Sequence, residues 1–253
     1  MFGSFVSATH DVADMKGCPV VDPGLTQTLE TLRVGLSSAP VHGPRNPGLR
    51  YVVARRSRAT GESLVTLVTS GDPHELEIPA LGPTVGVWTL RNDTEGNRIL
   101  VGSPEHVSGP RTIEERLAGH AHPIGPTSFF QVNPLAAERL FAIALEAAGE
   151  GERCVEGYCG VGVLTLPLKD QFARVLANEI NPESTAILEK RAPSVEVHTG
   201  SAEHMLPPLL DEPADAVVLD PPRKGLGPRV AQAIANTRAG RIVLLSCEPK
   251  SLI

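Results

Sequence analysis

Five short apolar runs, each closed by a turn and separated from the next by a helix-like stretch, most constrain what this chain can fold into. They are Arg153–Glu156, Arg174–Asn178, Val195–His198, Ala216–Asp220 and Arg241–Ser246. Asn133 followed by Pro134 is a good helix start, and Leu135–Ala148 is an alanine-rich helix that stops at Gly149. Pro182–Arg191 and Pro228–Thr237 carry the clearest helical patterns between the later runs. Strands that alternate with helices build βαβ units, a parallel sheet, and a ligand crevice at the carboxyl ends of the strands.

The preceding half has another texture. It is rich in Pro and Gly, with strand-like runs at Leu49–Ala54, Ser63–Thr69, Thr84–Leu90 and Arg98–Val101, each bounded by turn residues. Between Pro23 and Ser37, Leu25, Leu29, Leu32 and Leu36 fall at helical spacing. His42–Gly48 is a loop that cannot be helical. The spacing therefore predicts a small α+β domain over 1–125 and an α/β domain over 126–253. At 253 residues, 41% of them hydrophobic, the chain can bury a real core.

Charge and cysteine content narrow the function classes. The net charge of −6 means that any nucleic-acid contact must come from a local basic patch. Arg50, Arg55, Arg56 and Arg58 around one strand form such a patch, and Arg223 with Lys224 another. No apolar run approaches a membrane span, and residues 1–10 lack the basic-then-apolar order of a secretory leader. Cys18, Cys154, Cys159 and Cys247 form no zinc-type pair of pairs, so no metal site is expected. A cytoplasmic protein with reduced thiols fits this usage.

Four motifs carry chemistry, and the strand ends hold three of them. Glu156-Gly-Tyr-Cys-Gly160-Val-Gly162 follows the first of the five runs. Its glycines let backbone approach a ligand, and Glu179 at the end of the second run can hold ribose hydroxyls, so a nucleoside cofactor is expected. A plain tight turn with a solvated Glu is the alternative. Asp220-Pro-Pro-Arg-Lys-Gly225 leaves the fourth run, where Asp220 is either a ligand acceptor or a turn residue. Leu244-Leu-Ser-Cys247-Glu-Pro249 leaves the fifth, where Cys247 is either a nucleophile or a small buried hydrophobe. Cys154 and Cys159 suit burial better. Ser128-Phe-Phe-Gln131-Val-Asn133 sets two aromatics side by side in a chain only 4% aromatic, as a staple or as a stacking platform.

Phe129-Phe-Gln-Val-Asn133, Tyr158-Cys-Gly-Val-Gly162, Asp220-Pro-Pro-Arg-Lys-Gly225 and Ser246-Cys-Glu-Pro249 occur in this order. Together they resemble the RNA uracil-C5-methyltransferase family. Asp14-Met-Lys-Gly-Cys18-Pro-Val and Arg111-Thr-Ile-Glu-Glu-Arg-Leu extend the resemblance upstream, so it covers nearly the whole chain. It implies a Rossmann-like class I methyltransferase sheet preceded by a small α+β domain. It also implies S-adenosylmethionine as cofactor and structured RNA as partner, ribosomal RNA ahead of transfer RNA. Carried over by position, Gln131, Tyr158, Gly160, Glu179 and Asp220 hold the cofactor. Phe129, Phe130, Asp220 and Arg223 meet the substrate, and Cys247 is the nucleophile. Uracil C5 is a poor nucleophile; a thiolate adding at C6 makes the ring an enolate, and C5 then attacks the methyl group.

The chain also departs from the family pattern. The family's proton-abstracting Glu beyond the nucleophile, and the last two strands of its usual sheet, have no counterpart before Ile253. Of the four cysteines on which relatives hold an iron–sulfur cluster, only Cys18 has a counterpart, so a cluster is not expected here. Beside the enzyme reading stands a second one: a catalytically impaired, truncated RNA- and cofactor-binding remnant. A small-molecule methyltransferase is disfavoured by the pairing of Cys247 with Asp220, since simple O- or N-methylation needs no thiol.

Overall fold

The computed structural model describes residues 3–5, 9, 12–42, 47–73, 76–95 and 98–246. They gather into two compact units, Met1–Arg116 with Ala121–Phe130, and Leu117–His120 with Gln131–Ile253.

In the first unit a short antiparallel pair, β1 (Gly3–Phe5) and β2 (Val12–Asp14), precedes α1 (Pro23–Gly35). The Asp22 side chain caps α1 by accepting from the Gly24 N–H at 2.9 Å, and Pro23 fits the first turn because its missing N–H is not needed there. A four-stranded sheet follows: β3 (Gly48–Arg56), β4 (Ser63–Ser70), β5 (Val85–Arg91) and β6 (Pro104–Ser108), in that spatial order. One face of it buries Val65, Leu67, Val85 and Val87 against Leu32 and Leu36 of the α1 segment. The other face carries Leu64 and Trp88, packed with Ile113, Ile124 and Phe130. The hairpin β7 (Ile113–Leu117) and β8 (His120–Ile124) contributes Ile113 and Ile124 to that cluster.

Arg98–Val101 is not a strand, contrary to expectation. The Asn92 side-chain amide donates to the carbonyls of Arg98 and Ile99, at 2.8 and 2.9 Å. Carbonyls held by a side chain are not offered to a ladder, and the strand that pairs with β5 is β6 instead.

The second unit opens with α2 (Pro134–Ala148), capped by the Asn133 side chain, which accepts from the Ala136 N–H at 3.1 Å. It ends at Gly149, whose φ of 68° suits glycine at a helix terminus. Then β9 (Gly151–Gly157), α3 (Thr165–Gln171), β10 (Phe172–Glu179), α4 (Pro182–Arg191) and β11 (Glu196–Thr199) run outward from the centre of the sheet. α5 (Ala202–Leu210) brings the chain back, and β12 (Ala216–Leu219), α6 (Pro228–Asn236) and β13 (Arg241–Leu244) run the other way. The five strands are parallel, in the order β11-β10-β9-β12-β13. Val155, Val217 and Leu219 meet Leu206, Leu210 and Val230 of α5 and α6 in a buried cluster on one face. This is a class I methyltransferase fold. No helix among the described residues is long and apolar enough to cross a membrane.

Candidate active site

The direction of winding reverses between β9 and β12, and open parallel sheets bind ligands just beyond the strand ends at such a reversal. Both motif turns leave the sheet there. Gly157 ends β9 in register with Leu219, which ends β12, and the Asp220 N–H lies 3.5 Å from the Gly157 carbonyl.

The turn after β9 is built from strained backbone. Tyr158 holds a φ of 63°, Gly160 of 56° and Gly162 of 89°. A side-chain-bearing residue in the left-handed region costs free energy, and such positions persist where surroundings over-determine them. Glycine suits position 162 twice over, since a Cβ there would collide with the Leu188 side chain. At Gly160 the space is open. The Glu179 carboxylate closes the loop, accepting from the Gly160 N–H at 3.0 Å and from the Asn181 N–H at 2.8 Å. The glycine turn and the acid one strand later are thus joined directly. The Tyr158 ring packs against the cluster under α5 and α6, and burial raises its hydroxyl pKa, with Glu203 adding to the effect.

Two carboxyls stand at the reversal with their proton affinities raised. Asp220 is half-buried, and desolvation alone raises its pKa. Glu156, 2% exposed, pairs in register with Val218, two residues before Asp220. Its pKa is pushed up to about 8, chiefly by burial, with the Asp220 charge adding and Thr165 opposing. Glu156 Oε2 and Thr165 Oγ1 are both buried without a hydrogen-bond partner among the described residues. Glu156 opens the glycine motif in the sequence, but its burial is a tertiary fact.

The remaining expected residues are placed as follows. Gln131 is half-buried and makes no hydrogen bond among the described residues. Phe130 packs with Leu64, Trp88, Ile113 and Ile124, while Phe129 is 82% exposed. Arg223 and Lys224 are exposed. Cys247, with Glu248 and Pro249, lies outside the described residues, as do residues 43–46 of the expected loop. Cys154 and Cys159 are buried, and burial raises both thiols well above the ordinary range, which suits inert packing. Among the described residues no cluster of His, Cys, Asp or Glu could hold a metal ion.

A family profile described as tRNA (Uracil-5-)-methyltransferase matches residues 98–197. An uncharacterized RNA methyltransferase of Leptospira interrogans is 30% identical, over 96% of this chain and 68% of its own length. The chain belongs to the RNA uracil-5-methyltransferase family. An uncharacterized RNA methyltransferase of Thermosynechococcus vestitus is 33% identical, over 99% of this chain and 59% of its own length. This uracil-5-methyltransferase homologue spans a little under three-fifths of several such curated relatives. The Pyrococcus abyssi tRNA (uracil-54, C5)-methyltransferase, solved with S-adenosyl-L-homocysteine, superimposes with a TM-score of 0.80 at 26% identity. That match covers 96% of this chain and 62% of the other.

Proposed function

We propose that this chain methylates C5 of a uridine in structured RNA, using S-adenosylmethionine and Cys247 as nucleophile, with ribosomal RNA the first substrate to test and transfer RNA the second. The reading rests on one observation above all: the glycine turn tied to Glu179 and the Asp220 turn leave adjacent strands at the winding reversal. The site fits a nucleoside cofactor. Gly160 leaves open space, Glu179 stands at the end of the neighbouring strand, and buried oxygens of Glu156 and Thr165 lack partners.

Gln131, Tyr158, Gly160, Glu179 and Asp220 would hold the cofactor, Glu179 at its ribose. Bound there, S-adenosylmethionine supplies an electrophilic methyl group. Cys247 adds to C6 of the uracil as a thiolate, and the new carbon–sulfur bond places the electron pair on the ring, so that C5 becomes the nucleophile. After methyl transfer a base takes the C5 proton, the carbon–sulfur bond breaks, and the thiolate leaves. Asp220 would orient the base edge, and a uridine held in a duplex must first be swung out of its stack. With Phe130 in the core cluster, Phe129 is the aromatic free to stack on a base, and Arg223 would meet the phosphate backbone.

The direct test is production of 5-methyluridine in unmodified ribosomal or transfer RNA, read by nucleoside mass spectrometry. Methylation of another base, or of free nucleoside alone, would overturn the reading. Glu179→Ala is expected to weaken cofactor binding by about 1–3 kcal/mol, because it strips charge-assisted hydrogen bonds from the turn and from the ribose. Calorimetric titration with S-adenosylhomocysteine checks this, and an unchanged affinity would remove Glu179 from the ribose site.

A further inference from the structure

Five of the described arginines of the first unit have partners within it. Arg33 pairs with Asp14, Arg56 with Asp22 and Arg91 with Asp93. Arg50 donates to the carbonyls of Asn92 and Thr94, and Arg111 lies over the Trp88 ring. Arg55 is different. It is half-buried on β3, on the strand face opposite Ala54 and Arg56, and among the described residues it meets no carboxylate. Its one hydrogen bond runs from Nη1 to the Gly125 carbonyl at 3.1 Å. Burial lowers its pKa and no neighbouring acid offsets the effect. A guanidinium has five N–H donors in a planar fork, and none of those on Arg55 is sealed in the interior without a partner. A cation stripped of part of its water, given no counter-charge and left with accessible donors is set up for an anion from outside.

The carbonyl that Arg55 grips belongs to a built turn. The Gly125 carbonyl also lies 3.3 Å from the Ser128 N–H, and the Ser128 hydroxyl accepts from the Gly125 N–H at 3.0 Å. The Thr66 hydroxyl donates to the Pro126 carbonyl, tying the same segment to β4. This turn ends in Phe130, anchored in the core, and Phe129, 82% exposed. An exposed ring on a turn held by an uncompensated guanidinium has the two parts that bind an unpaired nucleotide: a face for the base and a fork for the phosphate.

We propose that Arg55 is a phosphodiester anchor for RNA, holding the backbone beside a base stacked on Phe129. It deepens the RNA-methyltransferase reading and rests on it.

The test measures binding of a fluorescent uridine-containing RNA hairpin to the full chain across a salt series. Arg55→Met keeps the apolar stem and removes the charge. It is expected to bind about tenfold more weakly, and the slope of log affinity against log salt should shrink by about 0.7. Phe129→Ala should bind about tenfold more weakly with its slope unchanged, because stacking releases no counterions. A variant that merely loosened the turn would lose affinity without losing slope, so an unchanged slope for Arg55→Met overturns the proposal. Wild-type protein that binds no RNA overturns the functional reading and this inference together. A footprint on the wild-type chain needs no variant: bound RNA should protect Arg55, and not Arg174, from an arginine-specific dicarbonyl, read by peptide mass spectrometry. Equal modification of Arg55 with and without RNA also overturns it.

Discussion

Cys247→Ala is expected to abolish uridine methylation, by at least about 10³-fold, while leaving S-adenosylhomocysteine binding unchanged. Removal of a covalent nucleophile forfeits the step that creates the reactive carbon, which is why such losses are large and why other site residues cannot make them good. The described part of the sheet ends one residue before Cys247. The Leu245 N–H donates to the Leu219 carbonyl at 2.8 Å, so the pairing of β13 with β12 persists to the residue before Asp220, and Ser246 follows. Cys247 is next in sequence. A denaturing gel of protein mixed with cofactor and uridine-containing RNA should show a slow covalent band in the wild type and none in Cys247→Ala, with 5-methyluridine lost in parallel. Retention of product within tenfold would show that the thiol is not the nucleophile. Wild-type protein giving neither adduct nor product would favour the impaired remnant instead.

The elements legible in the sequence are those whose burial is written as a run or a period. Ala216–Leu219 is four buried apolar residues in a row, and a strand covered on both faces of a parallel sheet needs that pattern. Leu32 and Leu36 announce α1 because one turn of helix separates them. α5 is legible only as an unbounded helix-like stretch, because Pro207 and Pro208 sit inside it and blur its pattern, whereas Leu206 and Leu210 bury its inner face. α3 is seven residues long and leaves little periodicity to read. The hairpin strand β7 alternates in burial from Ile113 to Leu117, but its sequence hides the alternation because the buried middle residue is polar. That middle residue, Glu115, is buried because its carboxylate accepts the N–H groups of Arg58 and Ala59.

At the site, spacing carried the glycine turn and its acid, but not how they are joined. That Glu179 closes the turn through the Gly160 N–H depends on β10 lying beside β9. The sequence alone does not distinguish Arg50, Arg55, Arg56 and Arg58, yet packing makes them unequal. Arg50 caps carbonyls and acts on the Asp93 carboxylate, and Arg56 neutralises Asp22, so neither offers its charge freely.

Glu156→Gln is expected to stabilise the protein in alkaline solution and to leave it nearly unchanged in acid. The Glu156 pKa stands at about 8 in the folded chain, against about 4.5 for an ordinary glutamate, because burial disfavours its charged form. Between those two values the folded state holds a proton that the unfolded state has released, so stability falls as pH rises from about 4.5 to about 8 and stays low above that. The full loss is on the order of 3–5 kcal/mol. The Asp220 charge is one of the causes that hold the Glu156 pKa up, behind burial. Glutamine is neutral at every pH and nearly the same size, so it removes the pH-dependent loss without opening a cavity. Thermal melts at pH 5, 7 and 9 should therefore diverge, the variant melting roughly 5–10 °C above the wild type at pH 9. Parallel profiles would mean that Glu156 finds water or a partner at its Oε2 and carries its charge in the folded protein. The same neutral carboxyl bears on the site, because a charged Glu156 behind Asp220 would raise the proton affinity of Asp220 in turn. The neutral form adds no such charge behind Asp220, whose pKa is raised by desolvation alone.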